Sequence, residues 1–290
     1  MTTSITSSAT QTIISAGGNP SALVIENGGI VSGIGKNKII NGNFAINQRA
    51  VSGTVVLAAG AYGHDRFKAG AAGCTYTFAT LENITTITIS AGSLIQVIEG
   101  LNLFSGNVVL SWTGTAQGKI GAGAYGNSGV TGTAVGGTNL SVEFNTGTLS
   151  LVQLETGSYK SAFEHRPYGM ELSLCQRYYQ YARTYSQLAG TYWVGWDSFH
   201  VPQIQFPVTM RAAPTTTVGV FESNSSHNYW TNPGYAPYSA SSPLGWVGAS
   251  SPSHIYIRNI RQPGGGSATP TSGLTYFFET GIVYTVNSEL

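Results

Sequence analysis

The chain has 290 residues, more than one typical domain, with 41% hydrophobic and 11% aromatic residues but only 9% charged ones. That apolar content separates it from charge-poor disordered chains, and 38 glycines among many Ser, Thr and Asn suit turn-rich β structure better than a helical bundle. The net charge is +1, and Lys and Arg are scattered rather than gathered into the basic stripe that neutralises phosphates, so nucleic acid is not expected as a ligand.

Taken in chain order, the start MTTSITSSATQTIIS has neither the charged nor the apolar region of a signal peptide. The chain also lacks a continuous apolar run of the roughly 18 residues that span a bilayer. A soluble protein made in a cytoplasm, without membrane insertion, is the expectation. Residues 1–36 are polar and Gly-rich apart from Ala22, Leu23, Val24 and Ile25, then Glu26-Asn27-Gly28-Gly29, then Ile30 and Val31. Asn-Gly between two short apolar runs is a hairpin signal, and a lone hairpin needs a partner to be stable. Leu23, Val24 and Ile25 are therefore the contact residues of a candidate attachment segment; a floppy tail is the alternative.

Residues 37–168 read as a β-sandwich. Tyr76 and Phe78, Ile87 and Ile89, Val108, Leu110 and Trp112, and Leu140, Val142 and Phe144 each alternate with polar or small residues. Period-two alternation buries one face of a strand and wets the other. Strands of this length between Gly, Asn and Thr turns suit a jelly-roll-like sandwich. In 169–184 the pattern changes. Leu174, Cys175, Tyr178 and Ala182 share one helical face, which predicts a short linking helix packed on the first domain or on copies of itself. Leu174, Cys175 and Tyr178 are its candidate contact residues.

From 185 to 290 the β pattern returns, predicting a second sandwich. Ile204, Phe206, Val208 and Met210 alternate through 200–210, with Pro207 marking an edge or bulge. Further strands are expected at 216–221, 254–260 and 274–286. Tyr192, Trp193 and Trp196 lie close together, and Tyr229, Trp230, Tyr235, Tyr238 and Trp246 crowd a Pro/Ser/Asn-rich stretch. Aromatic planes stack on the C–H faces of sugar rings while Asn, Ser and Tyr hydroxyls bind the ring edges. These eight are candidate glycan contacts; packing in a small core or an oligomer interface is the competing reading.

Other chemistry is less well supported. Gly121-Ala122-Gly123-Ala124-Tyr125-Gly126 satisfies GxGxxG literally, but more Gly, Ser and Thr follow instead of the helix that would meet a pyrophosphate. His64, His165, His200, His227 and His254 are dispersed, so no metal site is predicted. No GxSxG elbow occurs. Glu143, Glu155, Glu164 and Glu171 could in principle supply a glycosidase pair. Pairing of the last three with Arg66, Arg166 or Arg177 is the more economical expectation. Cys74 and Cys175 read as buried free thiols, a disulfide being the alternative in an extracellular particle. The overall expectation is all-β, non-enzymatic and cofactor-free.

Three segments carry a family resemblance. Lys38 to Arg49 (KIINGNFAINQR) looks like "L-I-N-G-N-F-x-I-W-Q-R", and Gly63 to Phe67 (GHDRF) is similar to "T-A-D-R-W". The third begins Val152-Gln153-Leu154-Glu155-Thr156-Gly157, continues Ala162-Phe163-Glu164-His165-Arg166-Pro167, and ends Glu171-Leu172-Ser173-Leu174-Cys175-Gln176-Arg177-Tyr178-Tyr179. It resembles "Q-L-E-x-G … T-P-F-E-x-R-P … E-L-x-L-C-Q-R-Y-Y", and Phe206 to Pro214 (FPVTMRAAP) also recurs. These patterns belong to bacteriophage tail-fibre, collar and gene-transfer-agent spike proteins. Asn47 and Phe67 stand where the family has Trp, and Ala162 where it has Pro. The resemblance implies a virion structural protein on the particle exterior. It further implies a homotrimer with a carbohydrate-binding-module-like sandwich. On this reading residues 1–36 join a portal, tail, neck or capsid protein, and the C-terminal domain contacts host cell-surface polysaccharide. Two rivals are a purely architectural decoration protein and a polysaccharide-degrading enzyme.

Overall fold

A computed structural model describes residues 36–184, 188–193, 198–200, 204–220, 229–231, 238–239, 247–248, 251–261, 275–278 and 282–290. Leu23, Val24 and Ile25 lie outside the described residues, as do Trp196, Tyr235 and Trp246. Among the described residues the fold is all-β with one short α-helix.

The first unit runs β1 (Val55–Leu57), β2 (Lys68–Leu81), β3 (Ile84–Ile98), a 3-10 turn (Gly100–Asn102), β4 (Gly106–Thr113), β5 (Gly118–Ile120), β6 (Val130–Ala134), β7 (Leu140–Phe144) and β8 (Gly147–Thr156). Neighbours pair antiparallel in the order β1-β2-β3-β8-β4-β6, with β7 joining β3 to β5. Two long strands change partners along their length, and this folds the sheet over itself. β3 pairs with β8 at Ile87–Ile89 and with β7 at Leu94–Ile98. β8 then leaves β3 to pair with β4 from Ser150 to Thr156. Between them lies one core that holds Phe44, Phe67, Tyr76, Ile87, Leu94, Leu110, Trp112, Val142, Phe144, Leu149 and Leu154. Alternating residues of β2, β3 and β7 are turned inward, as the period-two pattern predicts, whereas β4 is buried continuously from Val108 to Trp112.

The bend in the β2–β3 pair rests on two glycines. Six residues of β2, Ala69 to Cys74, lie opposite only three of β3, Gly92 to Leu94. Gly73 and Gly92 both have positive φ, and a Cβ on Gly92 would stand 2.0 Å from the Gly73 carbonyl oxygen. No side chain fits there.

α1 spans Tyr168–Gln176 and is shorter than the helix expected over 169–184. The remainder of that segment is β9 (Tyr179–Thr184), because all six of its residues pair with a distant strand. Nonlocal ladder formation outweighs the local helical pattern here. Gln180 is buried and Tyr181 exposed, a period-two signal overlooked beneath the helical spacing.

Beyond it come β10 (Leu188–Trp193), β11 (Ser198–His200), β12 (Ile204–Gln205), β13 (Thr215–Val220), β14 (Tyr229–Thr231), β15 (Tyr238–Ser239), β16 (Val247–Gly248), β17 (His254–Arg261), β18 (Thr275–Phe278) and β19 (Ile282–Asn287). One sheet is ordered β12-β17-β11-β10-β18-β14-β15, with β16 on β17; a smaller one is β13-β19-β9. The strand expected through 200–210 is broken. Its ladder stops before Pro207, while Phe206 and Met210 are buried with Tyr284 and Val286. Their amides bond to the carbonyls of Ser253 and Pro252. The strand expected over 274–286 is likewise two strands, β18 and β19.

Candidate functional site

The three motif segments, far apart in sequence, meet at one junction between the first core, α1 and the end of β19. Asn41 is the centre of the first segment. It is fully buried with φ of 62°, a left-handed conformation that Asn tolerates better than most residues. Its side-chain amide donates to the carbonyls of Ile46 and Asp65, and its side-chain oxygen accepts the Ile46 amide at 2.9 Å. Gly42 follows because a Cβ there would lie 2.1 Å from the Val152 carbonyl oxygen. The Gly42 oxygen in turn accepts the Val152 amide.

Arg66, in the second segment, is 1% exposed. It pairs with Glu289, donates to the Val97 carbonyl at 2.7 Å, and stacks over the Tyr178 ring at 3.5 Å. Its Nε is buried without a hydrogen-bond partner. A carboxylate, a carbonyl and an aromatic face thus replace the hydration of this guanidinium. Asp65 accepts the Gln48 amide and side chain, with Arg49 3.8 Å away; burial nevertheless pushes its carboxyl above the usual range. Arg49 lies 3.7 Å over Tyr179 and 3.4 Å from Glu289.

The third segment supplies the other charges. Arg166 pairs with Glu171 and Glu164 and donates to the carbonyls of Ile39 and Asn37. Glu171 also accepts the Asn41 amide, Glu164 the Asn37 amide, and Glu155 both the amide and the hydroxyl of Ser161. Arg177 pairs with Glu99, which also accepts the Tyr178 hydroxyl at 2.9 Å. Of the expected pairings, Arg166 with Glu164 and Glu171 is present. Arg66 takes Glu289, and Arg177 takes Glu99.

Each motif carboxylate is therefore occupied by donors from its own fold. The arrangement anchors a helix and a C-terminal strand to a sandwich. The GxGxxG segment is a turn after β5, bridged from Gly118 to Gly126 and continued by β6 rather than by a helix. Among the described residues no three His, Cys, Asp or Glu side chains stand together as metal ligands. No helix among them is long and apolar enough to cross a membrane.

Cys175 and Tyr178 are buried with Ile40 and Ile46, and Leu174 packs beside them half-buried, so these predicted contact residues face the first domain. Burial pushes the Cys175 thiol well above its ordinary range and Cys74 up to about 11; both are free. Of the aromatic candidates, Tyr192 and Trp193 fall in β10, Tyr229 and Trp230 in β14, and Tyr238 in β15. β18 links β10 to β14, and β15 adds to β14, so one sheet carries all five backbones. Their side chains are outside the described structure.

Sequence reasoning missed Glu289 altogether. It lies 223 positions from Arg66, and no local pattern joins the two. It also missed a surface cleft of about 630 Å³ that opens over the Arg166–Glu171 pair and reaches the β2–β3 hairpin tip. Comparison with protein-family models, with curated proteins and with solved structures gives no match.

Proposed function

We propose that this chain is a non-catalytic structural protein of a phage-type particle that attaches the particle to host-surface glycan. The observation that carries the reading is the use made of the motif residues. Asn41, Gly42, Arg66, Arg166, Glu171 and Tyr178 define the resemblance to fibre, collar and spike proteins, and they lock one junction together rather than line a reaction site. Residues used for architecture in this way suit a rigid mount for binding surfaces. In this reading the protein is a homotrimer on the particle exterior. Residues 1–36 join it to a portal, tail, neck or capsid protein, and the aromatics of 192–196 and 229–246 contact host polysaccharide.

The test is a glycan array followed by mass analysis of the retained glycan. Attachment predicts binding with the glycan recovered intact. Shortened glycan would establish the polysaccharide-degrading alternative, and no binding would leave the architectural one.

A further inference from the structure

We infer that the cleft between the β2–β3 hairpin tip and the start of α1 is a second saccharide site, on the first domain, for a neutral glycan. The inference rests on the glycan-attachment reading above. The cleft, at about 630 Å³, is within the size range of small-ligand sites. Its walls include Asn43, Thr80, Glu82, Asn83, His165 and Tyr168.

Tyr168 opens α1 and is 64% exposed, a large aromatic side chain held at a cleft rather than in a core. Such a ring offers a plane to sugar C–H faces. On the same cleft, Glu82 and Asn83 form the hairpin tip with φ of 49° and 64°. Consecutive left-handed residues make the tight turn whose twist matches its strands. Both side chains are exposed, and neither has a hydrogen-bond partner among the described residues. A carboxylate accepts from neighbouring hydroxyls, while the amide both donates and accepts, the combination a polyol edge requires. His165 is fixed edge-on against Phe163, with centroids 4.9 Å apart.

Charge sets the class of glycan. Arg166 is the one Lys or Arg on the lining, and Glu164, Glu171 and two carbonyls already engage it. An acidic sugar would meet Glu82 with no free guanidinium or ammonium to offset the repulsion. A neutral one meets acceptors, donors and a ring.

The experiment prints neutral and acidic oligosaccharides on one array. The full chain is compared with Y168A, E82Q and Y168F, and with a W193A chain and a W230A chain, each checked for an unchanged unfolding midpoint. At least one neutral oligosaccharide should lose about tenfold or more in affinity with Y168A and with E82Q. It should be retained by Y168F, which keeps the ring. If every bound glycan keeps its affinity in Y168A and E82Q but is lost in the tryptophan variants, the cleft site is refuted while the attachment reading stands. Binding of acidic glycans alone overturns the charge argument and with it the proposal. No binding to any glycan overturns both.

Discussion

Arg66 shows how a single buried charge ties the first domain to the segment that follows β19. Removing Glu289 would leave this guanidinium, 1% exposed, without its counter-charge. Breaking a buried pair from one side costs about 3–5 kcal/mol, so E289A should lower the denaturant midpoint markedly, and E289Q less. A variant as stable as the native chain would show that the stacking on Tyr178 and the Val97 carbonyl suffice. His64 gives a second test at this scale. Desolvation lowers its pKa to about 4, with Tyr76, Phe44 and Phe78 around the ring. The unfolded chain takes up a proton near pH 6.5 that the folded chain refuses until about pH 4. Stability should be insensitive to this group above pH 6.5 and fall by up to about 3 kcal/mol as pH drops through that window. Urea titrations of native and H64F chains at several pH values measure it, and equal slopes would contradict it.

At the scale of elements, close backbone approach is the controlling feature. Gly42 touches the Val152 carbonyl where the first motif crosses β8. Gly42→Ala should cost about 3 kcal/mol or more, since the obstacle is backbone rather than a movable side chain. A stability loss below about 1 kcal/mol, read from the urea midpoint and slope, would mean that this crossing yields readily. The sandwich was legible in the sequence because Tyr76, Ile87, Ile89, Val142 and Phe144 alternate with polar residues, and each is buried as that pattern requires; β4 departs from it, with Val109 buried beside Val108 and Leu110. The helix was legible at its start and not at its end. Leu174 and Cys175 obey helical spacing, but Tyr179–Thr184 is decided by pairing with Ile282–Asn287, about a hundred residues away. Partner identity at that separation is not written in local periodicity. The cleft was hidden for the same reason: nothing in the sequence joins Glu82 and Asn83 to Tyr168 and His165, which the fold brings to one cleft.

For the whole molecule, the junction makes the first domain, α1 and the β13-β19-β9 sheet mutually dependent. Ser288 bonds to the Tyr178 carbonyl, Arg211 to the carbonyls of Arg177 and Ser288, and Gln48 to that of Tyr179. A body held together in this way is compatible with the proposed attachment role, in which binding surfaces are held at a fixed angle. The attachment function is proposed for residues 1–36, of which Lys36 is the one described and bonds to Ser161 and Ala162. The most direct measurement is the protein content of purified particles assembled with the full chain or with one lacking residues 1–36, quantified by mass spectrometry and located by electron microscopy. The full chain should be found on the particle exterior in copies divisible by three, and the shortened chain should remain folded in the soluble fraction. Particles that lack the full chain, or that take up the shortened one equally well, would contradict the account.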